Sequence, residues 1–325
     1  MESTKKLARG GFVLLAAALA TALCVAWAAV APAKAYAAGI NQTAATTSSA
    51  TIEWADPYEG SSSYETTSYV VRWGEGYEEP NHSQAVPVTQ TSFTIPGLKA
   101  GTKYNVKIDY TYKSTYSGNE FSSRLYGDVA SRVATPTGVK QDKWWHYINK
   151  VDFTWNKQSA ADKVEYKVCR VSNGKVFKKG SDKYIRNTYE VSGVKNNIMY
   201  TVQMRVHDQW GWSGWSKKAY LFTQPMLNAK KTKVSGNKLT VTWNKISGAS
   251  SYEVYVSTKA KSGYKKVATV KSSKSSATVK KLGKAKFSPK KKYYVYVVAK
   301  KGKYDTGLNY IWNVKGSSVS QTYKN

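Results

Sequence analysis

Beyond residue 40, polar and apolar residues alternate in short runs. Three of these runs are strict: Tyr104, Val106 and Ile108 are separated by single polar residues, as are Tyr200, Val202, Met204 and Val206, and the run opening at Tyr293 continues through Val295 and Val297. Alternation with a period of two places the named residues on one face of a strand. It predicts a sheet with one face against a core and one in water. Each run belongs to a larger unit. A first strand ends in tryptophan, at Trp54, Trp155 and Trp243, and a second is led by tyrosine, at Tyr69, Tyr166 and Tyr252. The tryptophans lie 101 and 88 residues apart and the tyrosines of the strict runs 96 and 93. The chain therefore repeats a unit of about 100 residues, the size of a two-sheet sandwich. The predicted fold class is all-β, with three tandem antiparallel sandwiches.

Turn-forming stretches around Pro136-Gly138 and Pro225 divide the units. The expected domains are 38–135, 136–225 and 226–325, after a leader at 1–37. In these residues the chain resembles the fibronectin type III family. The resemblance implies an immunoglobulin-like sandwich with Trp54, Trp155 and Trp243 in the core. It also implies tyrosine corners at Tyr104, Tyr200 and Tyr293, each hydroxyl bonding back to the chain near the preceding turn. Leu98 and Val194 stand six residues before their tyrosines; in the third copy Phe287 keeps that spacing and Leu282 lies eleven before, so either fills the core position. The second unit also carries Trp210, Trp212, Ser213, Trp215 and Ser216 directly after the strand holding Arg205. This resembles the Trp-Ser box of class I cytokine receptors and implies a ladder in which Arg205 lies between the rings of Trp212 and Trp215.

The first 37 residues read as an export signal. Lys5, Lys6 and Arg9 precede an uncharged stretch from Gly10 to Pro32, and Ala35-Tyr36-Ala37 fits a small-x-small cleavage site. It resembles a Gram-positive secretory peptide, so the expectation is a secreted, bacterial-type protein, extracellular or loosely associated with the cell wall, with no membrane span in the mature form. Cys169 is then the only thiol, and no internal disulfide can form.

Charge changes the picture most. Residues 39–135 hold 7 Lys/Arg and 10 Asp/Glu, residues 136–225 hold 16 and 7, and residues 226–325 hold 23 and 2. The last unit is a polycation, and all its cations are lysine. Arginine suits bidentate reading of phosphate or bases, whereas lysine acts as a point charge. The expected partner is an anionic polymer, a cell-wall or host glycan, held diffusely, and not a specific nucleic-acid sequence. Lys280, Lys281, Lys284, Lys286, Lys290, Lys291 and Lys292 are the densest run and are expected on one connecting loop, while Lys238, Lys259 and Lys315 are expected to be scattered.

Little else supports chemistry. His82, His146 and His207 are far apart with no partner motif, so no metal, cofactor or catalytic residue is expected and the chain is read as non-catalytic. Glu75, Glu78, Glu79 and His82 read as a solvated acidic loop, with cation binding the lesser alternative. Trp144, Trp145, Tyr110, Tyr112, Tyr116, Tyr310 and Trp312 are expected near loops, as partner-facing or edge-packing rings. The first unit is acidic and Tyr-rich, suiting an unidentified protein partner. The expected function is an adhesion module; the alternative is a spacer or assembly component without a specific ligand.

Overall fold

A computed structural model describes residues 39–142, 149–306 and 310–323. The leader 1–37, with Trp144, Trp145 and His146, lies outside the described residues.

In the first sandwich the strands are β1 (Asn41–Ala45), β2 (Ala50–Glu53), β3 (Tyr64–Glu75), β4 (His82–Val86), β5 (Ser92–Ile95), β6 (Lys103–Ser114) and β7 (Glu120–Ala130). They form two antiparallel sheets, β1-β2-β5 and β4-β3-β6-β7. The alternating residues of β6 fall inward: Val106 and Ile108 are at most 1% exposed, while Lys107 and Asp109, the residue after each, are half-buried on the outer face. Trp54 sits under the sheets and meets Tyr69 edge to face at 5.4 Å.

The second sandwich repeats the plan with β8 (Lys140–Asp142), β9 (Lys150–Thr154), β10 (Lys163–Arg170), β11 (Val176–Asp182), β12 (Thr188–Ser192), β13 (Met199–Asp208), β14 (Gly211–Trp212) and β15 (Ala219–Phe222). Its sheets are β12-β9-β8 and β11-β10-β13, the last strand pairing both β14 and β15. The third contains β16 (Lys233–Ser235), β17 (Lys238–Thr242), β18 (Ser251–Ser257), β19 (Lys265–Lys271), β20 (Ser276–Val279), β21 (Lys281–Leu282), β22 (Ala285–Lys286), β23 (Tyr293–Lys301), β24 (Tyr304–Asp305), β25 (Tyr310–Lys315) and β26 (Ser318–Tyr323). Its sheets are β16-β17-β20 and β19-β18-β23-β25-β26.

All three corners close. The hydroxyl of Tyr104 accepts from the Lys99 N–H at 2.7 Å, that of Tyr200 from Lys195 at 3.2 Å and that of Tyr293 from Ser288 at 3.0 Å. The open choice in the third copy falls to Phe287, 3% exposed against the Tyr293 ring, while Leu282 is only half-buried in the β21-β22 hairpin.

Two expectations about aromatics are corrected. Tyr310 and Trp312 are not loop rings: they lie on β25 and are 4% and 7% exposed, because Trp312 pairs with Val295 and joins the third core. Tyr110 is likewise interior at 8% exposure, and of the three first-unit tyrosines only Tyr116 stands in solvent.

Polar staples join successive sandwiches. The Val133 N–H donates to the carboxylate of Asp208 at 2.7 Å, and the Trp210 N–H donates to its other oxygen at 2.8 Å. Asp208 is 3% exposed, and Arg132 approaches it at 4.0 Å while donating to the Trp210 carbonyl at 3.1 Å. The Gln158 amide bonds both ways with the Ala134 backbone, and the Ala160 N–H donates to the Gly101 carbonyl. Gly101 has φ +65°, and a Cβ there would collide with the Gln158 side chain. At the next joint Gln224 bonds both ways with the Tyr310 backbone, and the Ser247 N–H donates to the Asn197 carbonyl.

Candidate functional site

Strand register decides which lysines of the third sandwich share an end. In β17 the chain leaves the β16-β17 turn at Lys238, and Leu239 lies opposite Val279, the last residue of β20. Antiparallel pairing sets Ser257, at the end of β18, opposite Tyr294 at the start of β23, and Val256 opposite Lys265. Tyr293 in turn faces Val314, one residue before the β25-β26 turn at Lys315. Four connections therefore converge at one end: β16-β17, β18-β19, β20-β23 and β25-β26. Close contacts tie them together, since the Val234 N–H donates to the Gly316 carbonyl and a Cβ on Gly283 would lie 3.7 Å from the Lys265 ammonium.

These connections carry Lys238, then Lys259, Lys261 and Lys265, then the seven lysines from Lys280 to Lys292, then Lys315. All twelve are exposed, none forms an ion pair among the described residues, and no Asp or Glu occurs in the four connections. The two acids of this sandwich lie elsewhere. Glu253 is at mid-strand in β18 with Lys266 at 3.0 Å, and Asp305 is on β24 with Lys300 at 3.1 Å. Burial works to raise the Glu253 carboxyl, but hydrogen bonds from Lys266 and Tyr255 outweigh it and hold it below the ordinary range. The other end of the sandwich, where Ser247 and Tyr310 lie, meets the second unit.

Two sequence expectations change here. The dense run is not a plain loop: it folds into the β21-β22 hairpin around Gly283, with Lys281 directly opposite Lys286. Like charges facing across a hairpin destabilise it. Lys238, Lys259 and Lys315 are not scattered either, because their connections end on the same face as the run.

The second sandwich holds the aromatic-cation ladder. Arg205 on β13 is 4.6 Å from the Trp212 ring and 4.9 Å from Trp215, and Lys167 covers Trp215 at 4.2 Å. The ladder thus runs Trp212, Arg205, Trp215, Lys167. Glu165, directly opposite Arg205 on β10, takes its guanidinium at 2.7 and 2.8 Å. Sequence reading missed Lys167 and Glu165, since only the β10-β13 register brings them beside Arg205. Both serines of the box hook onto β13: Ser216 Oγ accepts the Met204 N–H and Ser213 Oγ the Val206 N–H, each at 3.1 Å. With its ring faces occupied by cations, this element braces the strand edge. Arg205→Ala is expected to destabilise the second sandwich by about 1 to 2 kcal/mol, a loss of two cation–π contacts. A double-mutant cycle with Trp215→Ala in urea denaturation checks it; additive effects would remove the ladder from the account.

The acidic loop of the first unit is built from ion pairs. Glu75 is held by Lys99 and Glu79 by Lys107, and His82 stacks on Trp73 at 5.6 Å. The Glu79 carboxyl is pushed down by its hydrogen bond to Lys107. Cys169 is a free, half-buried thiol on β10. No group of three or more His, Cys, Asp or Glu positioned to hold a metal occurs among the described residues, and none of their helices is long and apolar enough to cross a membrane.

The fibronectin type III domain family matches residues 36–128. No curated protein matches the sequence. Among solved structures, a two-domain fibronectin type III segment of chicken tenascin is 16% identical, covering 57% of this chain and 97% of that one at a TM-score of 0.30. The FN1-FN3 domains of chicken CNTN1 are 11% identical, covering 88% and 97% at a TM-score of 0.35. Domains of this family serve as adhesion or spacer modules in extracellular proteins and are generally non-catalytic. The family match covers the first sandwich, and the other two repeat its core tryptophan, its corner tyrosine and its sheet order, so the chain carries one fibronectin type III domain at 36–128 followed by two sandwiches of the same plan.

Proposed function

We propose that the chain is a secreted, non-catalytic attachment module whose third sandwich holds anionic polymers of a cell surface or matrix through its lysine end. The observation that carries this reading is the convergence of twelve exposed lysines on four connections without a carboxylate. So dense a field of one sign raises the local concentration of polyanions, and it works against the fold unless a counter-charge is recruited. With no arginine in the patch, contacts are to charge and not to bidentate geometry, so teichoic acid, sulfated glycans and DNA compete for one surface. The stapled joints favour a second reading, a spacer holding successive sandwiches in fixed contact, for which the charge serves solubility alone.

Titrating the full chain with fluorescent heparin, double-stranded DNA and neutral dextran separates the two. Binding to both polyanions, mutual competition and none to dextran are expected. Absence of binding to heparin and DNA at about 0.15 M salt, where the screening length is about 8 Å, leaves the spacer.

A further inference from the structure

The first sandwich and its joint with the second carry a row of exposed rings that the lysine end does not explain. Tyr77, on the turn after β3, is 95% exposed; Tyr126, on the outer face of β7, is 64% exposed; Trp210, at the joint, is 36% exposed. Tyr77 and Tyr126 line one depression of about 320 Å³, and Tyr77 and Trp210 line a second of about 550 Å³, with Asp128 bordering both. Both volumes lie in the range of ligand sites, roughly 300 to 1,000 Å³. Three polar side chains of the larger depression, Lys103, Asp128 and Gln209, are exposed and make no side-chain hydrogen bond or ion pair among the described residues.

We propose that this row is a binding site for a neutral pyranose oligosaccharide, lying across both depressions. Flat rings spaced along a groove match the apolar faces of successive sugar units, and tyrosine and tryptophan lose little rotamer freedom on contact. The amide of Gln209 offers both donors and an acceptor, the Lys103 ammonium donates and the Asp128 carboxylate accepts, a set that suits hydroxyl groups, which do both. The rings are separated by polar groups and do not form one apolar patch, which disfavours a protein partner. Net charge argues against an anionic glycan here, since residues 39–135 hold 10 Asp/Glu against 7 Lys/Arg. The groove is also held in shape before any ligand arrives: its two walls are tied by the Lys103 N–H to Ser159 Oγ bond at 3.1 Å and by the Asp208 staple. A preformed site loses less entropy on binding.

Isothermal titration of the full chain with cellohexaose, chitohexaose and maltohexaose tests this. At least one is expected to bind, with a change in tryptophan fluorescence that Trp210→Phe removes. Tyr77→Ala and Tyr126→Ala, both at exposed positions, are each expected to weaken that binding about tenfold, one stacked ring. A Lys290/Lys291/Lys292→Glu triple is expected to leave it unchanged, which separates this site from polyanion attachment. No binding of any of the three hexasaccharides at millimolar concentration overturns the proposal, as does binding indifferent to both tyrosine substitutions.

Discussion

Asp208→Ala is expected to destabilise the second sandwich by about 3 kcal/mol, the loss of two backbone hydrogen bonds to a buried carboxylate. Its carboxylate accepts two backbone N–H groups, from Val133 and Trp210, and lies beside the Arg132 guanidinium at 3% exposure. Alanine leaves the Val133 and Trp210 N–H groups without this acceptor, while the part-exposed Arg132 keeps its bond to the Trp210 carbonyl. Asn retains one acceptor oxygen, so Asp208→Asn should cost roughly half as much. Because multidomain chains generally depart from a single two-state transition, the quantity to read is the transition of the second unit and not a global midpoint. With slopes of about 1 to 3 kcal/mol per molar urea, that transition should move down by about 2 M, while the third unit's stays in place. Amide exchange should speed up at Val133 and Trp210 together. A shift below about 0.3 M would mean that the staple contributes nothing to the joint.

The second large effect is functional. Reversing Lys290, Lys291 and Lys292 to Glu is expected to lower polyanion affinity about a hundredfold at physiological salt, from three lost counterion-releasing contacts. The comparison must hold net charge constant. Lys238, Lys259 and Lys315 do not serve as the control, because register brings them to the same end as the run. Lys245, Lys271 and Lys274 do: they are exposed at the opposite end, Lys271 closing β19 and the other two on connections. Reversing these three changes the charge equally and should weaken binding only a few fold. Equal losses from both triples would assign the attraction to overall charge.

The difference between those two control sets marks how far the sequence could be read. Alternation in β6, β13 and β23 and the recurrence of Trp54, Trp155 and Trp243 made the three sandwiches legible, because period and spacing are local properties that burial enforces. The corner tyrosines were legible through the resemblance to a family that places a tyrosine six residues after an apolar anchor, with the anchor of the third copy left open. What escaped depends on register between strands distant in sequence. Lys167 and Glu165 stand some forty residues before Arg205 and meet it only through β10-β13 pairing. Which lysines share an end follows from which turns abut, and nothing in the spacing of Lys238, Lys265 and Lys315 reveals it. Tyr310 and Trp312 looked like loop residues because their strand lies close after the short β24 and carries no long alternating run.

The central claim, that the lysine end of the third sandwich is a polyanion-binding surface, is tested most directly by the salt dependence of binding. For the full chain on double-stranded DNA, the logarithm of the association constant should fall linearly with the logarithm of salt concentration. If five to eight of the twelve lysines engage at once, a slope of about −0.9 per contact gives roughly −4 to −7. The Lys290/Lys291/Lys292→Glu triple should reduce that slope by about three. A slope shallower than about −1, or one unchanged in the triple, would contradict the claim.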